Sequence, residues 1–151
     1  MLFQFSIQRE NLLGAILALA IFWMTIGTFV ARLADKPRLE YGLGFLLILL
    51  TLPLAYLLVS AFSLDRPRIY FLWIGLMIIF LLVELLLDYV WSVQFREVRW
   101  QVVLYVVLFF GSTGGMIGVA GLAGRGWSVA AVVSFLLMAA LAFFQRHVTG
   151  L

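Results

Sequence analysis

The chain has 151 residues, of which 66% are hydrophobic and only 11% are charged, and its mean hydropathy is +1.17. Charged residues make up about 25% of soluble domains, and a chain this short cannot bury so much apolar surface in its own core, so a water-soluble globule is excluded. The net charge of +3 is too small for nucleic-acid binding, and the lack of cysteine excludes disulfides, thiolate metal sites and cysteine nucleophiles.

Five apolar runs approach or reach the ~20 residues that cross a ~30 Å hydrocarbon layer. They are residues 12–31, 41–62, 69–91, 102–123 and 127–144. Because a backbone in lipid must satisfy its own hydrogen bonds, each run predicts a helix. The sequence therefore predicts one all-α membrane domain, a polytopic bundle of about five transmembrane helices joined by short loops.

The N-terminal segment, residues 1–10, precedes the first run and alternates apolar and polar side chains from Phe3 to Gln8. A segment with one apolar and one polar face suits the boundary between lipid and water. We expect it to lie on the membrane surface.

A short pattern is repeated before the second and third runs, as Asp35-Lys36-Pro37-Arg38 and Asp65-Arg66-Pro67-Arg68. One interpretation is an inverted repeat of the kind found in transporters. The other is a helix start used twice, in which the Asp side chain accepts N-terminal N–H bonds and Pro occupies the first turn. The likeness does not extend into the helices, which favours the second interpretation.

The middle of the second run contains Pro53 and Tyr56. Proline removes a backbone N–H group and predicts a kink. A tyrosine hydroxyl buried this deep usually finds a hydrogen-bond partner. We therefore expect a bent second helix and a partner for Tyr56.

Two acids, Glu84 and Asp88, lie one turn apart among the leucines of the third run. An ionised acid near the bilayer centre costs ~2.5 kcal/mol or more, so both should face the bundle interior and have partners. For Glu84, a proton- or cation-handling role and an interhelical hydrogen bond to Thr25, Thr28 or Ser112 carry equal weight.

Asp88 lies nearer to the membrane edge than Glu84. Because the helices alternate in direction, Asp88 shares a membrane side with Arg32 at the end of the first run and Arg99 at the start of the fourth. The sequence predicts an ion pair of Asp88 with Arg32 or Arg99, with a structural role favoured over a gate.

Glycine is concentrated in the fourth run. Gly111, Gly114, Gly115, Gly118 and Gly121 project onto an arc of roughly 120° at ~100° per residue. Two G-x-x-x-G pairs lie within this set, and they allow another helix backbone to come very close. We favour tight packing, within the bundle or between protomers, over a hinge or a backbone-lined path.

The basic residues of the connectors set the predicted orientation. With the N-terminus outside, six Arg and Lys residues lie inside and four lie outside, so the positive-inside rule favours this topology. The segment 91–100 has the pattern of a short interfacial helix with a basic face. We expect an integral protein of a bacterial inner membrane.

Chemical motifs are sparse. His147 is the only histidine and lies in the tail, so bis-His haem ligation within one chain is not available. The sequence contains no phosphate-binding loop, nucleophile elbow or metalloprotease motif. We predict no cofactor and no metal site, and we do not expect an enzyme.

Two functions remain after these exclusions. The first is a structural or accessory protein whose glycine-rich helix packs against a partner membrane subunit or a second copy. The alternative is a small channel or a proton- or cation-coupled transporter that uses Glu84 and Asp88. An enzyme that acts on lipid is a distant third.

Overall fold

The fold is a helical bundle. The computed structural model describes residues 2–90 and 98–149, and no strand occurs in this part of the chain. Its elements are α1 (Leu2–Leu33), α2 (Pro37–Leu49), α3 (Thr51–Ser63), α4 (Arg68–Glu84), a π-helix (Leu85–Val90) directly after α4, α5 (Arg99–Gly121) and α6 (Arg125–Thr149). The predicted all-α architecture is confirmed.

Five helical stretches are long and apolar enough to cross a membrane. They are Gln4–Leu33, Pro37–Ser63, Arg68–Leu87, Arg99–Gly121 and Arg125–Val148. Each overlaps one of the five predicted runs, but the first begins eight residues before the predicted run 12–31. The first helix begins at Leu2, so the N-terminal segment is continuous with the first span. Its place on the membrane surface stays a prediction.

The second span is broken near its middle. α2 ends at Leu49 and α3 begins at Thr51. Between them, the N–H group of Leu50 donates to the carbonyl of Leu47 over 3.1 Å, a tighter turn than that of an α-helix. The α-helical assignment is therefore interrupted three residues before Pro53, whose ring nitrogen has no hydrogen for the carbonyl of Leu49, and the kink stays a prediction.

The Asp of the repeated pattern ends the preceding helix, whereas the Pro lies at the start of the next one: Pro37 is the first residue of α2, as expected, and Pro67 directly precedes α4. Asp35 and Asp65 have φ angles of 54° and 49°. In each case the next N–H group donates to the carbonyl five residues earlier, over 2.9 and 3.1 Å, which is the closing bond of a Schellman motif. Neither α2 nor α4 has a side-chain cap at its start. The expectation that Asp caps the following helix is wrong, because both Asp residues adopt the left-handed conformation of a helix end.

The first helix lies at the centre of the bundle. α1 packs against α2, α3, α5 and α6, whereas α4 packs mainly against α5 and α3. A Cβ atom on Gly14 would stand 2.7 Å from the Val119 side chain, so α1 and α5 approach closely at this glycine. The largest fully buried side chains of the core are Tyr70, Phe22, Ile21, Leu54, Leu57, Ile74, Met77, Leu81, Met116 and Met138.

A chain of aromatic rings links four helices across the core. Neighbouring ring centroids are 5.3 to 6.4 Å apart, within the usual range for aromatic pairs. In order of contact, the rings are Tyr105, Phe80, Phe109, Phe110, Phe135 and Phe22. The chain therefore joins α4 and α5 to α6 and α1.

Two of the five predicted packing glycines lie against α4. Cβ atoms on Gly115 and Gly118 would stand 3.1 and 2.7 Å from the indole ring of Trp73, and Gly115 also approaches the Trp73 Cα atom at 3.2 Å. Only residues without side chains allow this approach of α4 to α5. This part of the glycine arc packs within the bundle.

The other predicted packing glycines differ from this pair. Cβ atoms on Gly111 and Gly114 would meet no atom of the described residues within 4 Å, and a Cβ atom on Gly121 would lie in ordinary contact with Ser128 of α6, at 3.7 Å. The arc is therefore divided between a face that packs on α4 and a face that is open.

Candidate functional site

A buried carboxylate joins α1 to α3. Glu10 of α1 is only 3% exposed. Its Oε1 atom accepts a hydrogen bond from the Tyr56 hydroxyl at 3.0 Å, and its Oε2 atom accepts one from the Ser60 hydroxyl at 3.2 Å. The Arg9 guanidinium is 3.6 Å from the same carboxylate but is largely exposed, so it contributes little. Both carboxylate oxygens therefore bond to donors on α3.

Arg66 extends this polar cluster to α4 and α5. Its guanidinium donates to the Asn11 side chain at 2.6 Å and to the Ile7 carbonyl at 3.3 Å, and it lies over the Tyr70 ring, 4.8 Å from the centroid. Asn11 in turn donates to the carbonyl of Leu122 at the end of α5. We call Glu10, Asn11, Tyr56, Ser60 and Arg66 the N-terminal cluster. Its contacts connect α1, α3, α4 and α5 at one end of the bundle.

Sequence reasoning missed Glu10 because the apolar run was taken to begin after it. The buried residues Gly14, Leu17, Ala18 and Ile21 follow Glu10 at helical spacing on one face of α1. Extending that period back by one turn would have placed Glu10 on the buried face. The predicted need of Tyr56 for a hydrogen-bond partner is confirmed, and Glu10 is that partner.

Glu84 lies at the opposite end of the bundle and joins α4 to α5. It is half-buried, and its Oε1 atom accepts a hydrogen bond from the hydroxyl of Tyr105. The predicted partners Thr25, Thr28 and Ser112 instead bond to carbonyls of their own helices at 2.7 to 3.0 Å. An interhelical hydrogen bond of Glu84 is therefore present, but its partner is Tyr105 and not one of the three predicted residues. The proton- or cation-handling alternative for Glu84 is not tested by this contact.

The two basic residues proposed for Asp88 have separate positions. Arg32 bonds to Glu40 of α2, with Nε and a terminal nitrogen each 2.5 Å from the same carboxylate oxygen. Arg99 is exposed at the start of α5. The side chain of Asp88 lies outside the described residues, as does the predicted interfacial segment up to residue 97, so the Asp88 ion pair stays a prediction.

The π-helix that carries Asp88 is attached to α2 through Tyr89. The Tyr89 hydroxyl donates to the carbonyl of Tyr41 at 2.9 Å, and the two rings lie 4.7 Å apart. The same hydroxyl is only 2.5 Å from the position of a Cβ atom on Gly44. A larger residue at position 44 would displace Tyr89.

Apolar packing separates the two carboxylates. The side chains between them include Phe22, Ile74, Met77, Leu81 and Met116, which are buried. The hydroxyls of Thr25, Ser112, Thr113 and Ser134 bond to carbonyls of their own helices, whereas the buried hydroxyl of Thr51 has no hydrogen-bond partner among the described residues. Within residues 2–90 and 98–149, no three His, Asp or Glu side chains form a group that could hold a metal ion. The arrangement provides hydrogen bonds between helices at each end, with apolar packing in between.

Comparison with known proteins adds no assignment. No protein-family model, curated protein or solved structure matches this chain.

Proposed function

We propose that this chain is a non-enzymatic structural or accessory membrane protein that packs against another helix in the bilayer, with a second copy of the chain as the partner. The observation that carries this proposal is the open glycine face of α5. Val107, Gly111 and Gly114 lie within about 60° of one another around the helix at ~100° per residue. We call these three residues the α5 strip.

The energetics of glycine support a contact at this strip. Glycine in a helix interior costs ~1 kcal/mol relative to alanine. Gly115 and Gly118 offset that cost by packing on Trp73, whereas Gly111 and Gly114 have no neighbour in the described part of the chain. In lipid, helices gain van der Waals contact where small residues let backbones approach. A second helix on the strip would supply the missing contact.

A second copy is the partner that fits with the fewest assumptions. Most homo-oligomers are two-fold symmetric, so the same surface of each copy forms the interface. Two copies inserted in the same direction would bring their α5 helices together as a parallel pair. Val107, which is 63% exposed, would then lie beside the glycines of the other copy.

The carrier alternative has less support. A path for protons or cations needs polar groups or water along its length, whereas the buried residues between Glu10 and Glu84 are mostly apolar. Each carboxylate accepts hydrogen bonds from a neighbouring helix, which favours a structural role for both. We also propose a bacterial inner membrane with the N-terminus outside, on the charge distribution of the loops.

Disulfide cross-linking tests the partner directly, since the chain has no cysteine of its own. A Gly114→Cys variant in membranes should form a covalent dimer on mild oxidation, because a disulfide needs Cα atoms about 4.4–6.8 Å apart. Leu52→Cys on α3 is the control, because Leu52 is 71% exposed and lies near the middle of the second span. The membranes are then diluted with added lipid, so that random collisions between copies become less frequent. If Gly114→Cys and Leu52→Cys still form equal amounts of covalent dimer, the proposal is contradicted.

A further inference from the structure

A shallow groove opens on the bundle surface at the start of α5. Its volume is about 690 Å³, and it is lined by Arg99, Trp100, Val103 and Leu104. Trp100, Val103 and Leu104 are each 56–63% exposed. Among the lining side chains that the structure describes, three are hydrophobic and that of Arg99 carries a positive charge. We call these four residues the α5 groove.

We propose that the α5 groove binds an anionic phospholipid, with the headgroup phosphate on Arg99 and the upper part of an acyl chain along Val103 and Leu104. The groove lies on the same face of α5 as the α5 strip but nearer to the start of the helix, and none of the strip residues lines it.

The guanidinium of Arg99 is suited to bind a phosphate and is not engaged by an acid of the described residues. It forms no ion pair within the described part of the chain, unlike Arg32, which is engaged by Glu40. A guanidinium presents a rigid fork of donors that matches a phosphate group. An unpaired arginine at the mouth of an apolar groove therefore complements a ligand that is anionic at one end and hydrophobic at the other.

The depth of the groove also suits a phospholipid. Arg99 is the first residue of a spanning helix, where headgroups are expected, and Trp100 is the kind of residue that lies at the membrane interface. Val103 and Leu104 follow one turn deeper, about 6 Å along the helix at ~1.5 Å per residue. The positive charge of Arg99 therefore lies at the depth of the lipid headgroup, and the aliphatic side chains of Val103 and Leu104 lie at the depth of the acyl chain.

Quenching of Trp100 fluorescence by brominated lipids tests the proposal. The signal of Trp100 is the difference between the unaltered protein and its Trp100→Phe variant, both in vesicles of phosphatidylcholine with a minor fraction of phosphatidylglycerol. Two preparations are compared: in one the phosphatidylcholine is brominated, and in the other the phosphatidylglycerol is brominated. We expect brominated phosphatidylglycerol to quench Trp100 with about fivefold preference, the factor that corresponds to the ~1 kcal/mol of one basic side chain at an anionic membrane surface.

Variants at position 99 show whether the preference comes from the proposed contact. Arg99→Gln should abolish it, and Arg99→Lys should retain part of it because the charge is kept. Arg38→Gln, at an exposed arginine on the same side of the bundle, is the control and should leave the preference unchanged. Inorganic phosphate should not compete, because it lacks the acyl chain. Equal quenching by the two lipids, or an undiminished preference in Arg99→Gln, would overturn the proposal.

Discussion

Replacing Gly115 or Gly118 with leucine should destabilise the folded bundle by ~1–3 kcal/mol, the usual cost of forcing extra atoms into a packed core. The expected result follows from Trp73, whose indole ring would lie only 2.7 to 3.1 Å from a new Cβ atom. Position 115 should be the less tolerant, because its neighbours include the Trp73 Cα atom, which cannot rotate away. The free energy of unfolding in mixed micelles is the measurement.

The same helix provides matched controls for this experiment. Gly111→Leu and Gly114→Leu add the same atoms at positions where a Cβ atom would have no neighbour within 4 Å among the residues that the structure describes. In monomeric micelles these variants should be as stable as the unaltered protein, or slightly more so because leucine favours helix by up to ~1 kcal/mol over glycine. Equal losses at all four positions would mean that α4 does not pack on α5 as described.

Replacing Glu10 with alanine should cost about 1–3 kcal/mol, because the hydroxyls of Tyr56 and Ser60 would lose their acceptor inside the bundle. Glu10→Gln keeps an acceptor oxygen and should cost less. Arg9→Gln is the control, since Arg9 is 63% exposed and its ion pair with Glu10 is weak. Thermal or chemical unfolding in micelles gives the values.

A double-mutant cycle isolates the bond from other effects of these substitutions. Tyr56→Phe removes only the hydroxyl that donates to Glu10. If the bond forms as described, the losses of Tyr56→Phe and Glu10→Ala should be non-additive, with an interaction energy of about 0.5–3 kcal/mol. Strictly additive losses would show that the two side chains do not interact.

The five spans could be predicted because a membrane helix is recognised from one continuous stretch of sequence, without knowledge of its neighbours in the fold. Length and apolarity are enough to identify a run, and hydrogen bonding in lipid determines that it is helical. The predicted first run begins at residue 12 because the residues just before it are polar, whereas the span begins at Gln4. Glu10 is polar, yet it continues the buried face of α1, and its two bonds to α3 are what permit its burial.

The partners of the charged residues could not be predicted because they depend on three-dimensional details. Asp88 and Glu40 were both within reach of Arg32 by topology, but Glu40 follows Arg32 by only eight residues across the tight turn at Asp35. For Glu84, the sequence suggested hydroxyls on small side chains. The long side chain of Tyr105 is the donor that reaches from α5.

The glycine arc shows the same limit. A projection at ~100° per residue places five glycines on one side of α5, but it does not say where the neighbouring helix lies. Trp73 of α4 covers Gly115 and Gly118 and leaves Gly111 and Gly114 open. The direction of α5 relative to α4 decides this division, and no local pattern in the sequence encodes it.

Ion flux into proteoliposomes tests most directly whether the two carboxylates hold helices together or carry ions. With an imposed pH or potassium gradient and a dye that reports internal pH, the purified protein should give the proton and cation flux of protein-free vesicles, because apolar side chains fill the core between Glu10 and Glu84. A flux well above that level, abolished by Glu84→Gln in a folded variant, would contradict the structural role proposed for these acids.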